Sequence, residues 1–353
     1  MSSKTIIALS LLPQFLMVQW LSKHPEWIER HYSEGAYPII SKAFRSLYGW
    51  VPFSVGDVVY TLLILLGLGY VYRHWRYIKA HKGVFVRDLL MVCSLLYFTF
   101  YMAWGLNYFR APLKTKLGLT ENTEWEALVD FTEKLIAKTN AEQEQLAGDS
   151  LQKVVLPYTQ EEMFGKTLQA YATLSQRYPF LTYEAPSIKT SLYSTALTYM
   201  GYAGYLNPFT NEAQVNARLP AFRFPVVAGH EIGHQLGYSA ENETNFIGYL
   251  VTANNKDPYF KYAAHAYALG YCLNDIRRAD EARFETLWPT LNAGVQENFR
   301  EMSHFWQRYE NPMEPVFKSI FNSFLKANKQ PEGLRSYNAV VSLLVAHHQE
   351  APL

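Results

Sequence analysis

His230 and His234 are four residues apart in the stretch PVVAGHEIGHQLGYSAENETNFIGYL, residues 225–250, with Glu231 directly after the first histidine. On an α-helix such a spacing stacks two side chains on one face, so both imidazoles can aim at a single point. A zinc ion suits that point. Glu231, one position round the helix, falls beside the metal, where its carboxylate can take a proton from a water that the metal activates. The chemistry this pattern serves is metal-assisted hydrolysis, with His230 and His234 as metal ligands and Glu231 as the catalytic base.

A catalytic zinc needs a third protein ligand and one open position. Three residues after Gly237, where a third histidine would complete the longer metzincin pattern, stands Ala240. Two carboxylates are left, Glu241 and Glu243. A second helix starting with Ser239 as N-cap would carry Phe246, Ile247, Leu250 and Val251 as its apolar stripe. Glu243 shares that stripe, whereas Glu241 shares a face with Thr244, Asn245 and Gly248. A carboxylate on a buried stripe must be paired or bound to metal. Helical phase therefore selects Glu243 as the third ligand, with Glu241 as the alternative, and Asn245 reads first as a solvated residue and second as one that orients a histidine.

The elements that must position these groups follow from punctuation and periodicity. Pro225 suits the first turn of the histidine helix and Gly237 its left-handed stop, which predicts a helix over residues 225–236. Ahead of it, SIKTSLYS at 187–194 reads as a strand. NEAQVN at 211–216 reads either as a strand, whose edge up to Asn216 could bind an extended substrate, or as an ordinary turn. Helices are expected at 123–146, 159–177, 258–279, 282–287, 289–309 and 313–327. The pair His347 and His348 falls in an expected frayed tail. In GLRSYNAVVSLL near the end, Tyr337 or Arg335 could bind substrate by donating to an oxyanion, or Tyr337 could simply cap a last helix.

The net charge of +1 and the balanced composition, 49% hydrophobic and 16% aromatic, give no electrostatic case for nucleic acid. Apolar residues are concentrated in the first third. Runs at 5–21, 55–72 and 89–106 are each long enough to be a transmembrane helix, the first of marginal length with Pro13 and Gln14 inside it. Between the second and third, Arg73, Arg76, Lys79, Lys82 and Arg87 face one acid, Asp88, which makes that loop cytoplasmic by the positive-inside rule. Everything after Asn107 is then outside the cytoplasm. Cys93 lies in a span and Cys272 in the polar part, so no disulfide framework is expected.

GLNYFRAPL at 105–113, NPFTNEAQVN at 207–216, HEIGHQLGYSAENETNF at 230–246 and GLRSYNAVVSLL at 333–344 resemble a family of bacterial membrane proteins known as domain of unknown function 3810, to which metallopeptidase character is ascribed. The resemblance covers the chain from its third span onward and implies zinc and a membrane anchor, with no known substrate. ENETNF is also similar to the E-x-E-A-N motif of regulator-cleaving zinc peptidases, in which a glutamate of this segment is the third ligand; Thr244 replaces the alanine.

The expected architecture is mainly α with a small β-sheet. Residues 1–109 form a membrane anchor of three transmembrane helices, and residues 110–353 an extracytoplasmic, zincin-like α+β domain facing the periplasm from a bacterial inner membrane. The expected function is zinc-dependent hydrolysis of peptide bonds in a peptide or protein at the bilayer surface. The alternative is a non-hydrolytic zinc-binding sensor or scaffold of the cell envelope. Hydrolysis inside the bilayer is disfavoured, because Glu241, Asn242, Glu243 and Asn245 are too polar for lipid.

Overall fold

The computed structural model describes residues 1–120, 124–328, 330, 339–351 and 353. It is mainly helical with one small sheet, and three of its helical segments, Ser3–Leu21, Val55–Ala80 and Lys82–Ala103, are long and apolar enough to cross a membrane. The first is interrupted at Ser10, between helices Ser3–Leu9 and Leu11–Leu21. It leans on the third through polar groups that would be costly to leave bare in lipid. Gln14 Nε2 donates to Ser94 Oγ at 2.9 Å, and the Ser10 and Ser94 hydroxyls lie 3.1 Å apart. The second helix continues eight residues past the apolar run, and the third begins seven before it, so the basic loop is itself helical and broken only at His81.

Residues 22–54 lie beneath the polar part of the chain. Helix Pro25–Ile28, the π-helix Glu29–Ala36 and helix Tyr37–Tyr48 run under the C-terminal end of the histidine helix, Phe224–Gln235. The last carbonyls of a helix have no partner within it, and here donors from the membrane-proximal segments satisfy them. Trp104 Nε1 donates to His234 O at 2.8 Å, Tyr37 Oη to Gln235 O at 2.7 Å and Arg110 Nη1 to Gly237 O at 2.9 Å. Gly237 makes the left-handed turn that ends the helix, with φ +84°.

The sheet has three strands, β1 (Ile188–Thr190), β2 (Gly204–Asn207) and β3 (Glu212–Val215), in the order β1-β3-β2. β1 is parallel to β3, with Ile188 opposite Ala213, and β2 is antiparallel to it, with Gly204 opposite Val215. Of the expected strand at 187–194 only the first half is extended, because a helix begins at Ser194. β2 was not foreseen, since GYLN is too short to show alternation.

β3 is buried on both faces and carries Glu212, whose carboxylate accepts from the Val55 and Gly56 amides at 3.1 and 2.6 Å and from Lys189 Nζ at 2.5 Å. A negative charge therefore caps the start of the second span, where the helix dipole favours it. Asp57, one turn in, accepts from Leu192 N at 2.7 Å and from the Tyr205 hydroxyl. Glu212→Ala leaves the buried Lys189 ammonium without its carboxylate, holding only the Tyr48 carbonyl at 2.8 Å, and should cost about 3–5 kcal/mol. Unfolding in detergent micelles measures this, and a loss under about 1 kcal/mol would show that the pair does not fasten span to sheet.

Behind the sheet, helices Trp125–Ala147, Gln160–Leu174, Pro258–Ala279 and Ala293–Gln307 surround the core. The last helix, Val340–Glu350, is not a frayed tail: His348 stacks on Phe131 and bonds Tyr249 Oη at 2.6 Å, and His347 meets Phe246 edge-on. Two histidines in an apolar helix are ring surfaces for packing, which the sequence-based expectation overlooked.

Candidate metal centre

The histidine helix is buried along its whole length and crosses a second buried helix, Glu241–Ala253. Small residues permit the close approach. A Cβ on Gly229 would stand 3.1 Å from Gly248 Cα, and one on Gly233 would stand 3.2 Å from the Thr244 methyl. This crossing brings the first residue of the second helix, Glu241, to the two imidazoles. Its Oε2 lies 3.3 Å from His230 Nε2 and 3.6 Å from His234 Nε2. The rings are nearly perpendicular, with centroids 4.7 Å apart.

Both far nitrogens are occupied. His230 Nδ1 is 2.9 Å from Asn245 Oδ1, which also accepts from the Tyr267 hydroxyl at 2.6 Å, and His234 Nδ1 is 2.7 Å from Tyr238 O. Oxygen acceptors hold the proton on Nδ1, leaving each Nε2 lone pair for a cation. Asn245 is buried against His230, not solvated as its polarity first suggests. Glu231 is 3% exposed, with a carboxylate oxygen within 4.8 Å of a nitrogen of each ring.

These residues fit a zinc ion on geometric grounds. Bonds of about 2.0–2.1 Å in a tetrahedron place ligand atoms roughly 3.3 Å apart, close to the two Glu241 contacts. The buried oxygens Glu231 Oε2 and Glu241 Oε2 and the amide nitrogen Asn245 Nδ2 have no hydrogen-bond partner, and buried polar atoms left bare are costly. Titration reflects the same crowding. Burial works to raise the Glu241 carboxyl, but the two imidazoles outweigh it and hold the group well below the usual carboxylate range. Burial works to lower His234, yet Glu241 beside it lifts the ring to about 9. His230 is lowered, by burial first and then by His234, and burial raises Glu231 to about 8.

Glu243 is corrected as a ligand of this centre. It points away from the rings, and its Oε1 accepts from Leu113 N at 2.7 Å, in the field of Arg110. Arg110 is itself bonded to Glu29 at 2.7 Å. Burial raises Glu243 to about 7, and its carboxylate is engaged by the Leu113 amide instead of the two rings. Phase could not separate the two acids because the helix is buried all round, with Glu241 and Glu243 5% and 7% exposed. It also starts one residue later than expected, with Ala240 as N-cap.

Asn216 is corrected too. It is fully buried, and its side chain is spent on Thr198 Oγ1, Tyr202 O and Arg218 N at 2.8, 3.1 and 3.0 Å. β3 is the central strand, so it has no open edge for a substrate. Tyr337 and Arg335 lie outside the described residues.

The strand that does reach the site is β2. It lines a cavity of about 940 Å³ into which His230, Glu231, His234 and Glu241 all face. A Cβ on Gly204 would sit 2.5 Å from Glu231 Oε1, so only glycine lets Glu231 lie against the strand. Gly204→Val should displace Glu231 and push β2 off the Gln214 carbonyl of β3, lowering stability by about 1–3 kcal/mol; an unchanged thermal unfolding curve would show that the strand yields freely. Reasoning from sequence also passed over Tyr108 and Tyr202. Both line the cavity, kept protonated by burial first and then by the charge of Glu241.

Comparison with known proteins adds a family and no function. No curated protein and no solved structure matches the chain. A family model described as "Protein of unknown function (DUF3810)" matches residues 32–345, from beneath the histidine helix to the final helix, and the chain belongs to that family.

Proposed function

We propose that the chain is a membrane-anchored zinc metallopeptidase whose catalytic centre lies outside the cytoplasm, against the outer ends of its spans. The observation that carries this reading is the meeting of Glu241 with both imidazoles, 3.3 and 3.6 Å from their Nε2 atoms, beside the buried and unpartnered Glu231. His230, His234 and Glu241 would hold the zinc. Zinc bound there supplies Lewis acidity, polarising a peptide carbonyl and acidifying a water. Glu231 takes the proton from the attacking water and passes it to the leaving amide nitrogen. Asn245 and Tyr238 keep the two rings turned, and Tyr108 and Asn245 Nδ2 are donors in the cavity wall for the oxygen that gains charge.

The edge strand β2 supports a peptide as substrate. Ala203 O accepts from Asn216 N, so alternation along the ladder turns the amide and carbonyl of Gly204 and Leu206 away from β3. An extended chain can pair with those groups and pass Glu231. Orientation rests on charge. Arg73, Arg76, Lys79, Lys82 and Arg87 cluster where the second and third spans join, while their other ends, at Val55 and Ala103, meet the sheet and the histidine helix. Basic residues favour the cytoplasmic side, which puts the centre on the opposite one. A closed, non-hydrolytic zinc site would need a fourth protein ligand, and His265 is engaged by Glu142 at 2.7 Å.

Protein purified in detergent should contain about one zinc per chain, as a single such centre requires. It should cleave an unstructured peptide library, lose that cleavage on chelation and regain it with zinc. Stoichiometric zinc with no cleavage of any peptide would favour the scaffold reading. Absence of bound metal after zinc loading would refute both.

A further inference from the structure

The cavity has an unusual enclosure for a peptide site. Tyr60 from the second span and Phe100 from the third form part of its wall, and Trp104 follows at the end of the third. A roof helix, Glu314–Ala327, adds Phe317, Phe321 and Phe324. Phe324 packs edge-on against both Phe100 and Tyr108, which fixes the roof helix at the outer end of the third span. Its exposed side is apolar as well. Val316 and Ile320, four residues apart, are 46% and 64% exposed, and Ile320 also borders the cavity.

That exposed stripe is continuous in character with the second span, where Leu62 to Leu66 are all more than half exposed. Helices this apolar, and bare on their outer surface, require lipid around them. A helix with aromatic residues at the outer end of such a span lies in the boundary between headgroups and acyl chains. The cavity beneath it is consequently level with the bilayer surface. Its size is near the top of the roughly 300–1,000 Å³ range of small-molecule sites, and its walls are mostly aromatic and aliphatic.

We propose that the cavity receives the acyl chain of a lipid-anchored peptide from the outer leaflet, with the chain beneath the roof helix and the adjoining peptide bonds laid along β2 at Glu231. This deepens the peptidase reading and rests on it for the role of Glu231. The occupant is an acyl chain because the exposed apolar surface that leads to the cavity is the surface that lipid itself must cover. A lipid-borne substrate reaches the site by diffusion in the membrane plane.

The test uses the full-length chain carrying Glu231→Gln, to prevent turnover, in vesicles of phosphatidylcholine and phosphatidylglycerol. The probe is a palmitoylated hexapeptide with a diazirine at the end of its acyl chain; labelled residues are mapped by mass spectrometry after irradiation. Labelling is expected at Phe317, Phe321 and Phe100, and unlabelled palmitoyl-peptide should compete it at least fivefold. Ala196→Trp, at an exposed position on the cavity wall, should reduce it by a similar factor while labelling of Leu62 to Leu66 from the bulk bilayer persists. Labelling confined to the span exterior, or cavity labelling indifferent to Ala196→Trp, would overturn the proposal. So would equal cavity labelling by a diazirine phosphatidylcholine at the same mole fraction, which would make the occupant bulk lipid. The measurement needs no hydrolysis. Cavity labelling of the variant, when the parent chain loaded with zinc cleaves nothing, removes the peptidase reading alone, and cleavage of free peptides by the parent without cavity labelling of the variant removes this inference alone.

Discussion

Glu231→Gln is expected to leave zinc bound and to abolish hydrolysis. The substitution keeps the size and planarity of the side chain, so the approach to Gly204 and the burial of residue 231 are preserved. What it removes is the ability to accept a proton. A positioned general base contributes about 10²–10⁴-fold to a rate, and that is the expected loss in kcat. Because His230, His234 and Glu241 meet without help from Glu231, zinc per chain should match the parent protein. Metal analysis and initial rates on the same preparation make the comparison. A variant that keeps its zinc and more than a tenth of the parent rate would assign proton transfer to some other group.

The histidine helix was legible because its signals are local. A proline in the first turn, a glycine stop and a four-residue spacing fix two imidazoles on one face whatever surrounds them, and the observed helix agrees to within one residue at each end. The contact of Asn245 with His230 was less so, since a lone asparagine reads equally as a solvated residue. The third acid was not, because the choice between Glu241 and Glu243 depends on which side of the second helix meets the first. The clue was present in Gly229, Gly233, Thr244 and Gly248, whose small side chains mark the faces that approach most closely. Glu241 shares that face, and a reading based on apolar residues alone treats it as solvated.

Other features were beyond a sequence-only reading because they are made between distant segments. The edge strand β2 is four residues long and becomes a strand only by pairing with β3. The two carboxylates at the start of the second span, Glu212 and Asp57, would look like exposed charges in sequence, yet each closes hydrogen bonds across more than a hundred residues. The cavity wall combines two spans, a strand and the roof helix. Periodicity finds such elements one at a time and carries no information on which of them enclose a common space.

Paired substitution of the two acids is expected to separate their roles completely. Glu241→Ala removes the carboxylate that touches both rings, and zinc affinity should fall by more than the roughly 10–100-fold that loss of a residue behind a ligand costs. Hydrolysis should disappear with the metal. Glu243→Ala should retain zinc, since its carboxylate serves Leu113 N and the Arg110 cluster. Its effect should be on folding, because the amide of Leu113 is left buried without an acceptor, at about 1–3 kcal/mol. Zinc titration in the presence of a competing chelator, run beside thermal unfolding of the metal-free proteins, reads both quantities. If Glu243→Ala weakens zinc as much as Glu241→Ala does, the metal draws the second helix into a different register, and Glu241 is not the residue that completes the centre.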